Sequence, residues 1–256
     1  MALQLAFDVV GSGPPLLVLH GLFGSASNWR TVAKALAVGH QVFSLDLRNH
    51  GRSPWSDTMD YLAMADDLAR FVADQGLGPV ALLGHSMGGK AAMALALTQP
   101  ERVERLIVVD IAPLPYADTL TPFALAMRGI DLGSAASRSE VQRQLEARLP
   151  EPAVAPFLLQ NLVARDGHFD WRINLAAIVS SMAALADFPA ALRERHYTGP
   201  VTAIAGALSA YVPRQAAAAF APMFDNVAVD FIDGAGHWVH ADRPQAFVAA
   251  AQRALA

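Results

Sequence analysis

Short apolar runs alternate with stretches of helical periodicity through the first 110 residues. Five runs have the length and apolar character of strands: Leu3–Val9, Leu16–His20, Gln41–Leu45, Val80–Leu83 and Leu106–Asp110. Between them, Trp29–Ala37, Tyr61–Asp74 and Gly88–Thr98 space their apolar residues as helices do. This alternation predicts an α/β fold, a mostly parallel sheet covered by helices on both faces. After Asp110 the texture changes. Ala112-Pro113-Leu114-Pro115 breaks the pattern, and the residues beyond it carry helical periodicity with no convincing strand. They predict helices at Pro122–Ile130, Arg138–Arg148, Ala153–Ala164 and Leu175–Leu185. Strand character returns at Val201–Gly206 and Val227–Ile232, and a last helix is expected at Pro244–Leu255. The layout is a core of residues 1–112 and 196–256 with a helical cap, 113–195, inserted between two late strands. The joint is short and carries no polar linker, which argues against a separate helical domain.

Composition narrows the picture. The 256 residues are 54% hydrophobic and 16% charged, enough apolar material for one large packed domain. The formal net charge of −4, without a basic run, speaks against a nucleic-acid partner. No cysteine is present, so disulfides, thiolate metal sites and cysteine nucleophiles are excluded. The N-terminal residues resemble no signal peptide, and no segment approaches the ~20 apolar residues needed to span a bilayer. A cytoplasmic protein, monomeric or a small homo-oligomer, is expected.

The candidate chemistry sits at Gly84-His85-Ser86-Met87-Gly88. An apolar strand precedes it and a helix-forming run follows, so Ser86 falls at the apex of a sharp strand-to-helix turn. Such a turn crowds the backbone, needs small residues two before and two after the serine, and aims the helix N-terminus at whatever the hydroxyl attacks. A serine needs a base. Of eight histidines, His237 in Gly234-Ala235-Gly236-His237-Trp238 follows the last strand and can bend back toward the strand ends; His240 is its nearest rival. The third member must be a carboxylate that orients the imidazole. The loop after Val201–Gly206 offers none, whereas the neighbouring strand ends in Asp110, and adjacent strand ends lie about 5 Å apart. Asp233 and Asp242 are alternatives, both close to His237 in sequence. The oxyanion donors are expected to be the Met87 N–H and the Leu22 N–H in His20-Gly21-Leu22-Phe23-Gly24, with Phe23 in reserve and His20 bracing the loop.

Four segments together resemble the α/β-hydrolase superfamily over nearly the whole chain. They are His20-Gly21-Leu22-Phe23-Gly24-Ser25, Asp46-Leu47-Arg48-Asn49-His50-Gly51-Arg52-Ser53, Gly84–Lys90, and Gly234–Ala241. Arg48-Asn49-His50-Gly51, Lys90 after the double glycine, and Val109-Asp110-Ile111-Ala112-Pro113 are similar to small bacterial esterases of the YbfF type and their mitochondrial relatives. The resemblance implies a carboxylesterase or acyl-thioester hydrolase with a helical cap, no cofactor, and a triad acid after the sixth strand, which matches Asp110. One departure stands out. Gly206-Ala207-Leu208-Ser209-Ala210-Tyr211-Val212 carries apolar residues where the subgroup has a Gly-Gly-Asn-Ser-x-Tyr-Val-like loop.

The expected function is therefore hydrolysis of small carboxylic esters, of short to medium acyl chain, through an acyl-enzyme with a Ser86-Asp110-His237 triad. Thioester, lactone or carbon–carbon bond hydrolysis and perhydrolysis use the same groups. A non-catalytic ligand-binding protein on this scaffold is the remote alternative. Arg48 and Arg52 are expected to form ion pairs with Asp46 or to hold the fold rather than bind an anionic substrate. Asp166, His168 and Asp170 have metal-like spacing but no fourth ligand in view, so no metal is expected.

Overall fold

The computed structural model describes residues 1–256. Nine strands occur: β1 (Phe7–Val10), β2 (Pro15–Leu19), β3 (Gln41–Leu45), β4 (Val80–His85), β5 (Val103–Val109), β6 (Leu162–Arg165), β7 (His168–Trp171), β8 (Tyr197–Gly206) and β9 (Phe224–Ile232). Seven of them form one sheet in the order β1-β3-β2-β4-β5-β8-β9, parallel throughout except for the antiparallel edge strand β1. The helices are α1 (Arg30–Leu36), α2 (Tyr61–Asp74), α3 (Met87–Thr98), α4 (Thr121–Arg128), α5 (Arg138–Glu146), α6 (Ala155–Leu158), α7 (Leu175–Ala186), α8 (Ala216–Phe220), α9 (Val239–Asp242) and α10 (Pro244–Leu255).

The central strands are continuous apolar runs because both their faces are buried. Leu17, Leu19, Leu82 and Val108 point to one face, where they pack with α2 and α3 residues such as Leu68 and Met93. Their neighbours Leu16, Val18, Leu83 and Ile107 point to the other, against Val32 and Leu36 of α1 and Phe247 and Ala251 of α10. The β2 and β4 ends carry the Gly21 loop and Ser86, and the β5 and β8 ends meet beside them. Ligand sites in open α/β sheets form at such carboxyl ends.

Between β5 and β8 lies the insertion. Its buried residues Phe123, Met127, Val141, Leu158 and Ile178 belong to the same apolar cluster as Leu17 and Met93, so it packs as part of the molecule rather than as a separate body. The expected helix over 153–164 is absent. A short helix α6 is followed by 3₁₀ turns and by the antiparallel hairpin β6–β7. Its turn is Asp166-Gly167, both at positive φ (50° and 82°), the geometry that an Asp-Gly pair supplies to a two-residue hairpin. His168 and Asp170 alternate along the β7 arm of this hairpin, with Asp166 in its turn. At the N-terminus, strand structure begins at Phe7 rather than Leu3, because the Leu3 N–H is drawn instead to Asp67 on α2.

Arg48 takes the fold-holding role that was one of its two expected uses, with a partner other than Asp46. That partner is Asp67: Nε and Nη2 reach the two carboxylate oxygens at 2.7 and 2.8 Å, and the remaining donors meet the carbonyls of Thr58 and Ala63. Both side chains are 1% exposed. Arg52 is the residue that meets Asp46, at 3.2 Å, together with Asp8 at 2.9 Å. The Arg48–Asp67 pair pins the loop after β3 to α2. Removing one member strands the other charge in the interior. Asp67→Leu is expected to destabilise the fold by about 3–5 kcal/mol in chemical denaturation, and adding Arg48→Met is expected to recover much of that loss.

Candidate active site

β4 ends at His85 and α3 begins at Met87, so Ser86 alone makes the turn. Its backbone lies at φ 52°, ψ −117°, a conformation that side-chain-bearing residues avoid and that costs about 1–3 kcal/mol. The bend is held by Ser86 N–H donating to the Val109 carbonyl at 2.9 Å, and by Lys90 N–H donating to the Ser86 carbonyl. Glycines are compulsory on either side. A Cβ on Gly84 would lie 2.3 Å from the Gly88 carbonyl oxygen, and one on Gly88 would lie 2.6 Å from the His20 carbonyl oxygen.

Asp110 also lies at positive φ (50°), just past β5, and is wholly buried. Its Oδ1 accepts the Gly206 N–H at 2.9 Å. Its Oδ2 accepts the Ser209 hydroxyl at 2.5 Å and His237 Nδ1–H at 2.7 Å. With the Nδ1 proton fixed on the carboxylate, the Nε2 lone pair of a neutral His237 is the basic site. The Tyr211 ring stacks on the imidazole at 4.1 Å, and His85 Nε2–H donates to the His237 carbonyl at 2.9 Å. Ser86 and His237 line one cavity of about 470 Å³ without a direct hydrogen bond between them. Such contacts commonly tighten only when substrate binds. Of the rival acids, Asp242 accepts the Gly236 N–H, while Asp233 is held only through its carbonyl by Arg243. The rival base His240 lies stacked on Trp29 at 4.3 Å, and burial pushes it down to about 4.

A family model described as alpha/beta hydrolase fold matches residues 14–244. The chain belongs to the α/β-hydrolase family. Within it, the chain groups with the small esterases of the YbfF type. It is 34% identical to Esterase YbfF of Escherichia coli over 94% of this chain and 92% of that protein. It is 42% identical to a Xenopus laevis protein named sn-1-specific diacylglycerol lipase ABHD11, over 96% of this chain and 81% of that one. The solved structure of a marine microorganism esterase superposes with a TM-score of 0.94 at 35% identity, covering 98% of this chain and 99% of that one.

The α/β-hydrolase loop after β2 is braced by neutral histidines. His20 Nε2 accepts the Leu47 N–H at 3.0 Å, so its Nδ1–H donates to the Gly21 carbonyl at 2.8 Å, the bracing expected of it. His50, which sequence reasoning gave no role, accepts the Phe23 N–H on Nε2 at 3.2 Å and donates from Nδ1 to the Arg48 carbonyl. Burial holds His20 below its ordinary pKa and pushes His50 down to about 3. Because the Phe23 N–H is taken, the reserve donor is removed and Leu22 is left. The Met87 N–H, first in α3, has no helical partner either. Both residues line cavity wall at Ser86.

Three further residues lay outside the expected set. Ser209 and Tyr211 sit in the departing loop, yet they are the positions where it keeps the Ser-x-Tyr of the family pattern, and that agreement is the signal that could have found them. Lys90, one turn after Ser86, is 1% exposed and donates to the Ala186 and Asp187 carbonyls at 2.9 and 2.8 Å. Burial pushes its ammonium down to about 8. The strain at Ser86 is measurable. Since glycine tolerates its backbone angles and alanine does not, Ser86→Gly is expected to be about 1 kcal/mol more stable than Ser86→Ala in thermal denaturation.

Proposed function

We propose that this chain is a serine hydrolase that cleaves carboxylic esters of short to medium acyl chain through an acyl-enzyme. The observation that carries the reading is the buried Asp110–His237 pair, at 2.7 Å, opening on the same cavity as the strained Ser86. The esterase and lipase names of its relatives support the same class of chemistry.

In this reading His237 Nε2 takes the Ser86 proton as Oγ adds to the substrate carbonyl carbon, and the oxygen that becomes negative is met by the Leu22 and Met87 N–H groups. Collapse of the tetrahedral intermediate expels the alcohol, which receives the proton from His237. Water, deprotonated by the same imidazole, then releases the acid and restores the serine. Asp110 keeps the Nδ1 proton in place and stabilises the imidazolium without taking a proton itself. The insertion acts as a cap, since Phe157 and Leu120 line the cavity together with Ser86 and His237.

Ser86→Ala is expected to abolish hydrolysis of p-nitrophenyl butyrate and labelling by a fluorophosphonate probe while leaving the circular-dichroism spectrum unchanged. Full activity in that variant would refute the assignment. Asp110→Asn is expected to lower kcat by roughly 10⁴, as loss of the correct tautomer does in related triads. Asp233→Asn should remain near the wild-type rate, and the reverse result would move the acid.

A further inference from the structure

Two cavities of very unequal size meet at Ser86. The smaller, about 50 Å³, is lined by Leu22, Ser86 and Met87, by the buried Tyr61, Lys90 and Met182 on its inner side, and by the exposed Ala117, Asp118 and Thr119 at its rim. His237 is not among its walls. The larger, about 470 Å³, is lined by both Ser86 and His237. It shares Phe157, Trp238 and His240 with a groove of about 1060 Å³ that runs outward past Val32 of α1 and Val248 of α10.

Proton transfer decides which half of an ester occupies which space. The leaving oxygen must receive its proton from the imidazole, so the leaving group lies in the cavity that His237 lines. The carbonyl oxygen faces the Leu22 and Met87 N–H groups, and the acyl chain is left with the cavity those residues share with Lys90. By the same measure the small cavity has about a tenth of the large one's volume, so the smaller half of the ester belongs there. Its inner end does not yield easily. The Lys90 ammonium is tied to two carbonyls and lies 4.8 Å from the Tyr116 ring centre and 5.6 Å from that of Tyr61. The Tyr61 hydroxyl is itself held by the Leu185 carbonyl at 2.6 Å. A chain extended toward Lys90 would have to displace a buried, engaged cation.

We infer that this hydrolase takes esters with a small acyl group and a large apolar leaving alcohol, and that Lys90 with Tyr61 and Met182 bounds the inner side of the acyl space. The inference rests on Ser86 being the nucleophile, and it narrows the reading above to one arrangement of the substrate.

The test compares two ester series on the wild-type protein. Along p-nitrophenyl acetate, butyrate, hexanoate and decanoate, kcat/KM is expected to fall roughly tenfold or more beyond butyrate. Along the acetates of ethanol, hexanol and decanol, kcat/KM is expected to rise with the alcohol. Met182→Ala, which opens the small cavity without touching the Lys90 contacts, is expected to raise the hexanoate-to-acetate ratio about tenfold. Decanoate cleaved as well as butyrate, or acetates that worsen as the alcohol grows, would overturn the inference while Ser86 still reacts with a fluorophosphonate. Failure to cleave any ester or to label Ser86 would overturn the hydrolase reading and the inference with it.

Discussion

The carboxylate of Asp110 is the constraint on which the site depends. A carboxylate with no solvent exposure is costly unless each lone pair finds a donor, and here three donors arrive from different parts of the chain. Gly206 ends β8, Ser209 belongs to the loop beyond it, and His237 follows β9. Satisfying one buried charge therefore fixes the relative positions of three segments. The imidazole is oriented as a by-product, and Tyr211 closes over its face. Ser209 shares Oδ2 with His237, so the two compete for one oxygen and each limits how far the other can shift.

Backbone strain concentrates in the same few ångströms. Of five non-glycine residues at positive φ, Phe23, Ser86 and Asp110 stand at or just beyond the ends of β2, β4 and β5. Such conformations persist only where the surroundings over-determine them, which the paired strands and the close glycine approaches do. Around this strained centre lie His20, His50, His85 and His240, all held below their ordinary pKa chiefly by burial. They supply hydrogen bonds and ring contacts without adding positive charge beside the serine.

What could be read from the sequence was what short stretches encode. The parallel strands were legible because burial on both faces leaves an unbroken apolar run. Ser86 and His237 were legible because a tight bend and a loop of small residues are local features. The pairing of Asp110 with His237 was legible by elimination, since Asp110 ends an apolar strand beside a strand that has no acid. The partner of Arg48 was not, because choosing Asp67 over Asp46 requires knowing that α2 lies across the loop after β3. The hairpin β6–β7 was hidden because its signal, Asp166-Gly167, is two residues long and sits within a helical texture. Ser209 was not legible because its role is set by Asp110, 99 residues away in the chain, and not by the loop around it.

Cavity shape was beyond reach for a deeper reason: its walls come from elements remote in sequence whose contacts are made for other purposes. Leu185, Ala186 and Asp187 present the carbonyls that end α7, groups that no residue of that helix can satisfy. Tyr61 of α2 and Lys90 of α3 supply the donors, and a cation is the favoured partner for a helix C-terminus. One interaction that fastens the insertion to the core is thus also one that walls the inner side of the small cavity. The extent of the cavity and the attachment of the insertion are thereby coupled at the ammonium group one turn beyond Ser86 and the Tyr61 hydroxyl beside it. Met182, on α7 but outside that contact, lines the cavity without meeting those carbonyls, so the space there is set by a different side chain from the one that caps the helix.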